Sequence, residues 1–133
     1  MLTIWEYCLI GSVIYDMIEK TLMLRKINIS KNFHLNNHAV VYNGNCLDLL
    51  KEIPDGSIQL IVTSPPYNIG KEYEKKLKLK NYLAQQARII KECTRTLSGS
   101  GSICWQVGNY VDKGSIIPLD TVLYPIFQDF GLK

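Results

Sequence analysis

Hydrophobic and polar positions along this chain change period several times. Residues 38–42, 58–62 and 102–107 are short runs rich in β-branched and aromatic residues, and each predicts a strand. Between them the period lengthens. Leu47, Leu50 and Ile53 share one face of a short helix over 47–53. Leu79, Tyr82, Leu83, Ala87, Ile90, Cys93 and Leu97 recur at three- and four-residue steps, a single apolar stripe on a long helix. Residues 121–130 carry Val122, Leu123, Ile126, Phe127 and Phe130, with Pro125 as a kink, Pro118 suited to the first turn and Gly131 to the end. Strand and helix therefore alternate three times. That order predicts an α/β fold: a parallel sheet of about three strands, right-handed crossovers and flanking helices.

The breaks between elements have their own chemistry. Pro54-Asp55-Gly56 is a turn in which proline pre-sets φ and glycine supplies a positive one. Ser98-Gly99-Ser100-Gly101 follows a helix and precedes a strand, the reverse of a phosphate-binding glycine loop, so it predicts a helix cap and turn. The residues after Gly108-Asn109-Tyr110 read as a loop up to Pro118. The sharpest break is Thr63-Ser64-Pro65-Pro66-Tyr67-Asn68-Ile69-Gly70. Two successive prolines cannot continue the strand over 58–62, because each lacks an N–H and fixes φ. The chain must leave the sheet at Ser64 in a stiff turn that presents a hydroxyl, a carbonyl and an aromatic ring. In open α/β sheets, ligands bind at this carboxyl edge of the strands.

The first 37 residues differ from the rest. An amphipathic helix is predicted over 4–20, and the asparagine-rich stretch 28–37 reads as a linker. Glu6, Asp16 and Glu19 interrupt the apolar run, so no membrane span is expected, and an acidic first charge does not suit a signal peptide. The predicted organisation is an N-terminal extension and linker over 1–37 and a folded domain over 38–133.

Composition adds modest constraints. At 47% hydrophobic and 20% charged the chain is an ordinary globular protein, and a net charge of +3 permits a polyanionic partner without requiring one. Cys8, Cys46, Cys93 and Cys104 form no metal or disulfide spacing, which suits reduced thiols in a cytoplasmic protein. His34 and His38 stand four apart but lack a glutamate partner and a convincing helix, so they read as loop residues, and no metal site is expected. Lys71, Lys75, Lys76, Lys78 and Lys80 follow the proline turn. They suit either a solvated loop or a basic flap that touches phosphates.

Gly44-Asn45-Cys46-Leu47, Ile53-Pro54-Asp55-Gly56-Ser57 and the run from Ile61 through Ser64-Pro65-Pro66-Tyr67-Asn68-Ile69-Gly70-Lys71 together resemble the N4/N6 amino-methyltransferases of DNA. The similarity is to the permuted β class, whose catalytic motif comes early and whose cofactor glycine motif comes late. It extends through Trp105-Gln106-Val107-Gly108-Asn109 and Pro118-Leu119-Asp120 and does not cover residues 1–37. The resemblance implies a partial Rossmann-like methyltransferase fold acting on double-stranded DNA with a flipped target base. It implies S-adenosyl-L-methionine as methyl donor.

The chemistry of that reaction suits the motif. An exocyclic base amine is a poor nucleophile because its lone pair is delocalised into the ring. Two acceptors that take its N–H protons, the Ser64 hydroxyl and the Pro65 carbonyl, localise and aim that lone pair. Pro65-Pro66 hold the geometry, and Tyr67 offers a face on which an extruded base stacks. No Pro-Cys pair occurs, which argues against cytosine C5 methylation and its cysteine nucleophile. Serine at position 64 resembles the cytosine-N4 enzymes more than the adenine-N6 ones. Asn68 and Lys71 either line the base pocket and DNA path or cap the turn. Asn45 and Thr63 are the expected cofactor contacts, although the family often has an acid where Asn45 stands. The family's target-recognition region and its Phe-x-Gly-x-Gly-like motif have no counterpart in 133 residues. The expectation is therefore a truncated catalytic portion, complemented by a second chain or inactive alone.

Overall fold

Ile58–Thr63 is the strand on which the sheet is built. The computed structural model describes residues 3–5, 28–70 and 76–133. In chain order these form β1 (Thr3–Trp5), β2 (Ile29–Ser30), β3 (Ala39–Val40), α1 (Cys46–Glu52), β4 (Ile58–Thr63), α2 (Leu79–Thr96) and β5 (Leu97–Trp105). The hairpin β6 (Asn109–Asp112) and β7 (Ser115–Pro118) and the helix α3 (Leu119–Asp129) follow. β4 is central in a three-stranded parallel sheet ordered β1-β4-β5, with Ile4 opposite Ile61 and Ile61 opposite Ile103. All three strands therefore end at one edge, where Thr63 stands opposite Trp105.

The architecture is α/β with small parallel sheets, but the membership of the main sheet differs from expectation. The strand anticipated over 38–42 shrinks to Ala39–Val40 and pairs in parallel with Ile29–Ser30, outside the main sheet. Residues 4 and 5, expected to open a helix, belong to the strand beside β4. The remainder of that expected helix lies outside the described residues. Pairing with a strand far along the chain is a long-range event, and local periodicity carries no signal for it.

The glycine run is a second correction. α2 ends with Leu97 in extended conformation, its N–H still bonded to the Cys93 carbonyl, and β5 begins at that residue. No separate cap or turn intervenes. Instead Ile58 pairs with Leu97 while Leu60 pairs with Ser102, so the Ser-Gly-Ser-Gly segment is absorbed as a bulge. A Cβ on Gly101 would lie 2.8 Å from the Leu97 side chain and 3.0 Å from the Ile58 carbonyl oxygen. Glycine lets the bulged strand approach its neighbour that closely.

Two apolar clusters hold these elements. Leu50, Ile53, Ile58, Ile61, Cys93 and Leu97 pack α1 and α2 on the sheet. Tyr82, Ile90, Tyr110, Leu119 and Leu123 join α2 to the hairpin and α3. The apolar stripe of α2 thus serves both clusters, as its i, i+3, i+4 spacing requires. Arg95 secures the end of α1: its guanidinium donates to the Ile53 carbonyl at 3.0 Å and to the Leu50 carbonyl at 2.6 Å, which also accepts the Ile53 N–H at 3.2 Å. It also pairs with Asp55 and, at 2.9 Å, with Glu92.

The hairpin replaces the loop expected after Tyr110. Lys113 and Gly114 both take positive φ, 48° and 84°, the conformation of a two-residue hairpin turn whose twist matches the strands. Asp112-Lys113-Gly114-Ser115 between β-branched residues was the available signal.

Candidate functional site

The Ser64–Tyr67 turn leaves the carboxyl end of the central strand. Past the last strand pair, the Gln106 N–H donates to the Thr63 carbonyl at 2.9 Å, so the ladder is closed up to the residue before Ser64. The prolines then stop it. Pro65 is buried and Pro66 exposed, so one ring anchors the turn while the other faces outward. Ser64 is exposed, and its Oγ lies 3.0 Å from the Tyr67 hydroxyl, where either oxygen can donate. The Tyr67 ring is half-buried against the second apolar cluster. Ser64, Pro65 and Tyr67 thus come together in one short turn, with a hydroxyl, a backbone carbonyl and an aromatic ring at the sheet edge.

Asn68 fastens this turn from behind. It is 3% exposed, adopts φ of 61°, and bonds Leu77 twice: Nδ2 donates to the Leu77 carbonyl at 2.8 Å and Oδ1 accepts the Leu77 N–H at 2.6 Å. Its amide is directed into the protein, towards the segment that leads into α2. Lys71 lies outside the described residues. Lys76, from the same basic stretch, donates to the Val111 carbonyl at 2.8 Å and sits 5.4 Å from the centre of the Tyr110 ring. It ties the start of α2 to the hairpin.

Asn45 is the N-cap of α1, its Oδ1 accepting the Leu47 N–H at 3.1 Å. An asparagine can cap as well as an aspartate, so the helix start tolerates the exchange of acid for amide. Thr63 is buried at 8% exposure. Among the described residues no cluster of His, Cys, Asp or Glu could hold a metal ion. An apolar cleft of about 290 Å³ lies between β5 and α3, lined by residues that include Ile103, Trp105, Leu123 and Phe127. None of the turn residues lines it. Trp105 meets Phe127 edge-on there, with ring centres 5.6 Å apart.

Gly108 also lies against the turn. A Cβ built on it would fall 2.9 Å from Cδ2 and 3.1 Å from Cε2 of Tyr67. The available signal was a glycine just past the third strand, in a stretch that shared the family resemblance.

Comparison with known proteins gives this geometry a family. Residues 58–133 match the N6/N4 family described as DNA methylase. Type II methyltransferase M.BglII of Bacillus subtilis is 50% identical over 100 residues, which cover 74% of this chain and 27% of that protein. Type II methyltransferase M.ScaI of Streptomyces caespitosus is 34% identical over 99 residues, covering 72% of this chain and 32% of its own length. A solved structure of a candidate DNA modification methylase from Thermus thermophilus superposes with a TM-score of 0.56 at 27% identity, over 66% of this chain and 36% of that one. The protein belongs to the N6/N4 DNA methylase family. It spans about a quarter to a third of the length of these two curated relatives. Among the described residues no helix is long and apolar enough to cross a membrane.

Proposed function

We propose that this chain is the base-binding, catalytic portion of a cytoplasmic DNA amino-methyltransferase of restriction–modification type, acting on cytosine N4. The observation that carries the reading is the Ser64–Tyr67 turn at the carboxyl end of the central strand, with the Ser64 and Tyr67 hydroxyls 3.0 Å apart. The Ser64 hydroxyl and the Pro65 carbonyl accept the two N–H protons of the target amine. Pro65 and Pro66 keep these acceptors from moving as the nitrogen becomes nucleophilic. Tyr67 stacks on the base once it is flipped out of double-stranded DNA. Serine at position 64 is what favours cytosine N4 over adenine N6.

S-adenosyl-L-methionine would supply an electrophilic methyl on a sulfonium, so no covalent enzyme intermediate is needed. The fit of this chain to that cofactor is partial. Exposed Asn45 spends Oδ1 on its helix cap and keeps Nδ2 for a ligand, while Thr63 is covered by the sheet. We therefore assign to this chain the base side of the site over 38–133, with Asn45 and Thr63 at its border with the cofactor. The matched segment is 27% of M.BglII and 32% of M.ScaI, and we assign the remaining cofactor contacts and target recognition to sequence outside that segment. Residues 1–37 extend this unit at its N-terminus and contribute β1 and β2 to its sheets. Lys71 is assigned to the DNA path.

The test is a chimaera in which the matched segment of M.BglII is replaced by the corresponding residues of this chain. It is expected to transfer a labelled methyl group to DNA. Ser64→Ala and Tyr67→Ala in that segment should each cut turnover at least a hundredfold while leaving cofactor binding within about twofold. Full turnover in both variants would remove the turn from the mechanism. Analysis of the product nucleoside separates N4-methylcytosine from N6-methyladenine.

A further inference from the structure

Ser64 is exposed, and an exposed serine hydroxyl has three rotamers and a mobile proton. To accept an N–H reliably it must be held in one rotamer with its own proton directed elsewhere. The Tyr67 hydroxyl at 3.0 Å is the partner that does this. When Ser64 donates to Tyr67, the remaining lone pairs of Oγ are left for an incoming donor.

What holds Tyr67 in turn is backbone. Its ring lies so close to Gly108 that a Cβ there would come within 2.9 Å of the ring. The backbone at 108 has little room to retreat: its carbonyl accepts the N–H of Leu119 at 3.1 Å, and Leu119 is completely buried in the second cluster. Two residues earlier the Gln106 N–H is bonded to the Thr63 carbonyl, at the root of the same turn. On this framework a methyl group at 108 displaces the ring, and displacing the ring carries the phenol away from Ser64.

We propose that Gly108 is a positioning residue for the Ser64 hydroxyl: its missing side chain forms the seat of the Tyr67 ring, and the seated ring brings its phenol to Ser64. The inference rests on the reading of the turn as a base-amine site. It gives Tyr67 a second role beside stacking, as orienter of the acceptor.

Carbon-13 labelling of tyrosine Cζ in the 133-residue chain reads this arrangement directly. In the wild-type chain, nuclear Overhauser contacts are expected between the Gly108 α-protons and the Tyr67 ring; their absence overturns the proposal without any variant. Ser64→Ala is expected to shift the Tyr67 resonance. In a Gly108→Ala background the same Ser64→Ala change should move it by less than half as much, because the bond is already broken. An undiminished Ser64→Ala shift in that background overturns the proposal. A Gly108→Ala chain that fails to fold leaves the wild-type contacts to decide. In the methyl-transfer assay on the chimaera, Gly108→Ala should lower kcat about tenfold, the effect of one hydrogen bond, with the cofactor KM unchanged. A wild-type chimaera that transfers no methyl refutes the functional reading, while the resonance cycle still decides the role of Gly108.

Discussion

The side-chain amide of Asn68 grips the backbone of Leu77 at two points, its Nδ2 on the carbonyl at 2.8 Å and its Oδ1 on the N–H at 2.6 Å. Asn68 directly follows Tyr67 and carries a left-handed φ of 61° that asparagine tolerates and most residues do not. The clasp therefore fixes the backbone immediately behind the aromatic ring. Asn68→Ala loses both bonds and adds backbone strain, and is expected to destabilise by about 2–3 kcal/mol. Asn68→Gly restores the backbone but not the bonds, and should fall between wild type and Asn68→Ala. Urea unfolding measures the series; an Asn68→Ala midpoint equal to wild type would show that the clasp contributes nothing.

Two glycines in the bulge of β5 should respond differently to the same change. Gly101→Ala places a methyl against Leu97 and the Ile58 carbonyl and should cost about 1–3 kcal/mol. A Cβ on Gly99 meets nothing within 4 Å, so Gly99→Ala should stay within about 0.5 kcal/mol of wild type. Thermal unfolding of the pair tests whether the bulge sits where Ile58 and Leu60 change register.

Arg95 should matter more than an ordinary surface cation. Its guanidinium is held above the usual arginine range, first by the hydrogen bond to Asp55 and then by that to Glu92, with desolvation opposing. A folded-state value raised on a group that titrates far above neutrality gives stability that is present throughout the neutral range and is lost only in strong alkali. Arg95→Ala is expected to destabilise by about 1–3 kcal/mol, chiefly by removing the donors to the Leu50 and Ile53 carbonyls, since Asp55 is 79% exposed and its pair is screened. Arg95→Lys should recover less than half of this, because a point charge cannot serve the fork. Chemical denaturation at neutral pH decides; full recovery by lysine would count against the carbonyl contacts.

Leu119 is completely buried where the hairpin meets α3, and it holds the backbone at Gly108. Leu119→Ala should cost about 2–5 kcal/mol through the cavity it leaves. Tyr124, on the same helix and 55% exposed, provides the control: Tyr124→Ala should stay within about 0.5 kcal/mol. Similar losses for both would mean that α3 is not packed through Leu119.

Three features were legible from residue pattern: the strand over 58–62, the α2 stripe and the Pro-Pro stop after Ser64. Each is local, because alternation, the helical period and proline's missing N–H act within a few residues. The hairpin was legible in principle from Asp112-Lys113-Gly114-Ser115, two turn residues flanked by strand-formers. The glycine run misled because Gly and Ser suit a turn and a bulge equally; only the spacing of its partner strand, two residues against five, selects the bulge. Asn45 and Asn68 illustrate the same limit within the site. Their side chains suit a ligand, a cap or a clasp, and the choice depends on which backbone lies within about 3 Å.

The sequence by itself determined that a stiff Ser-Pro-Pro-Tyr corner leaves a strand in an α/β chain, because proline's geometry is intrinsic to the residue. The tertiary structure decided which strand stands beside β4, that Asn68 turns inward to Leu77, and that Gly108 lies under Tyr67. These are contacts between residues 9 to about 60 positions apart, selected by burial and by the need to satisfy backbone groups at close range.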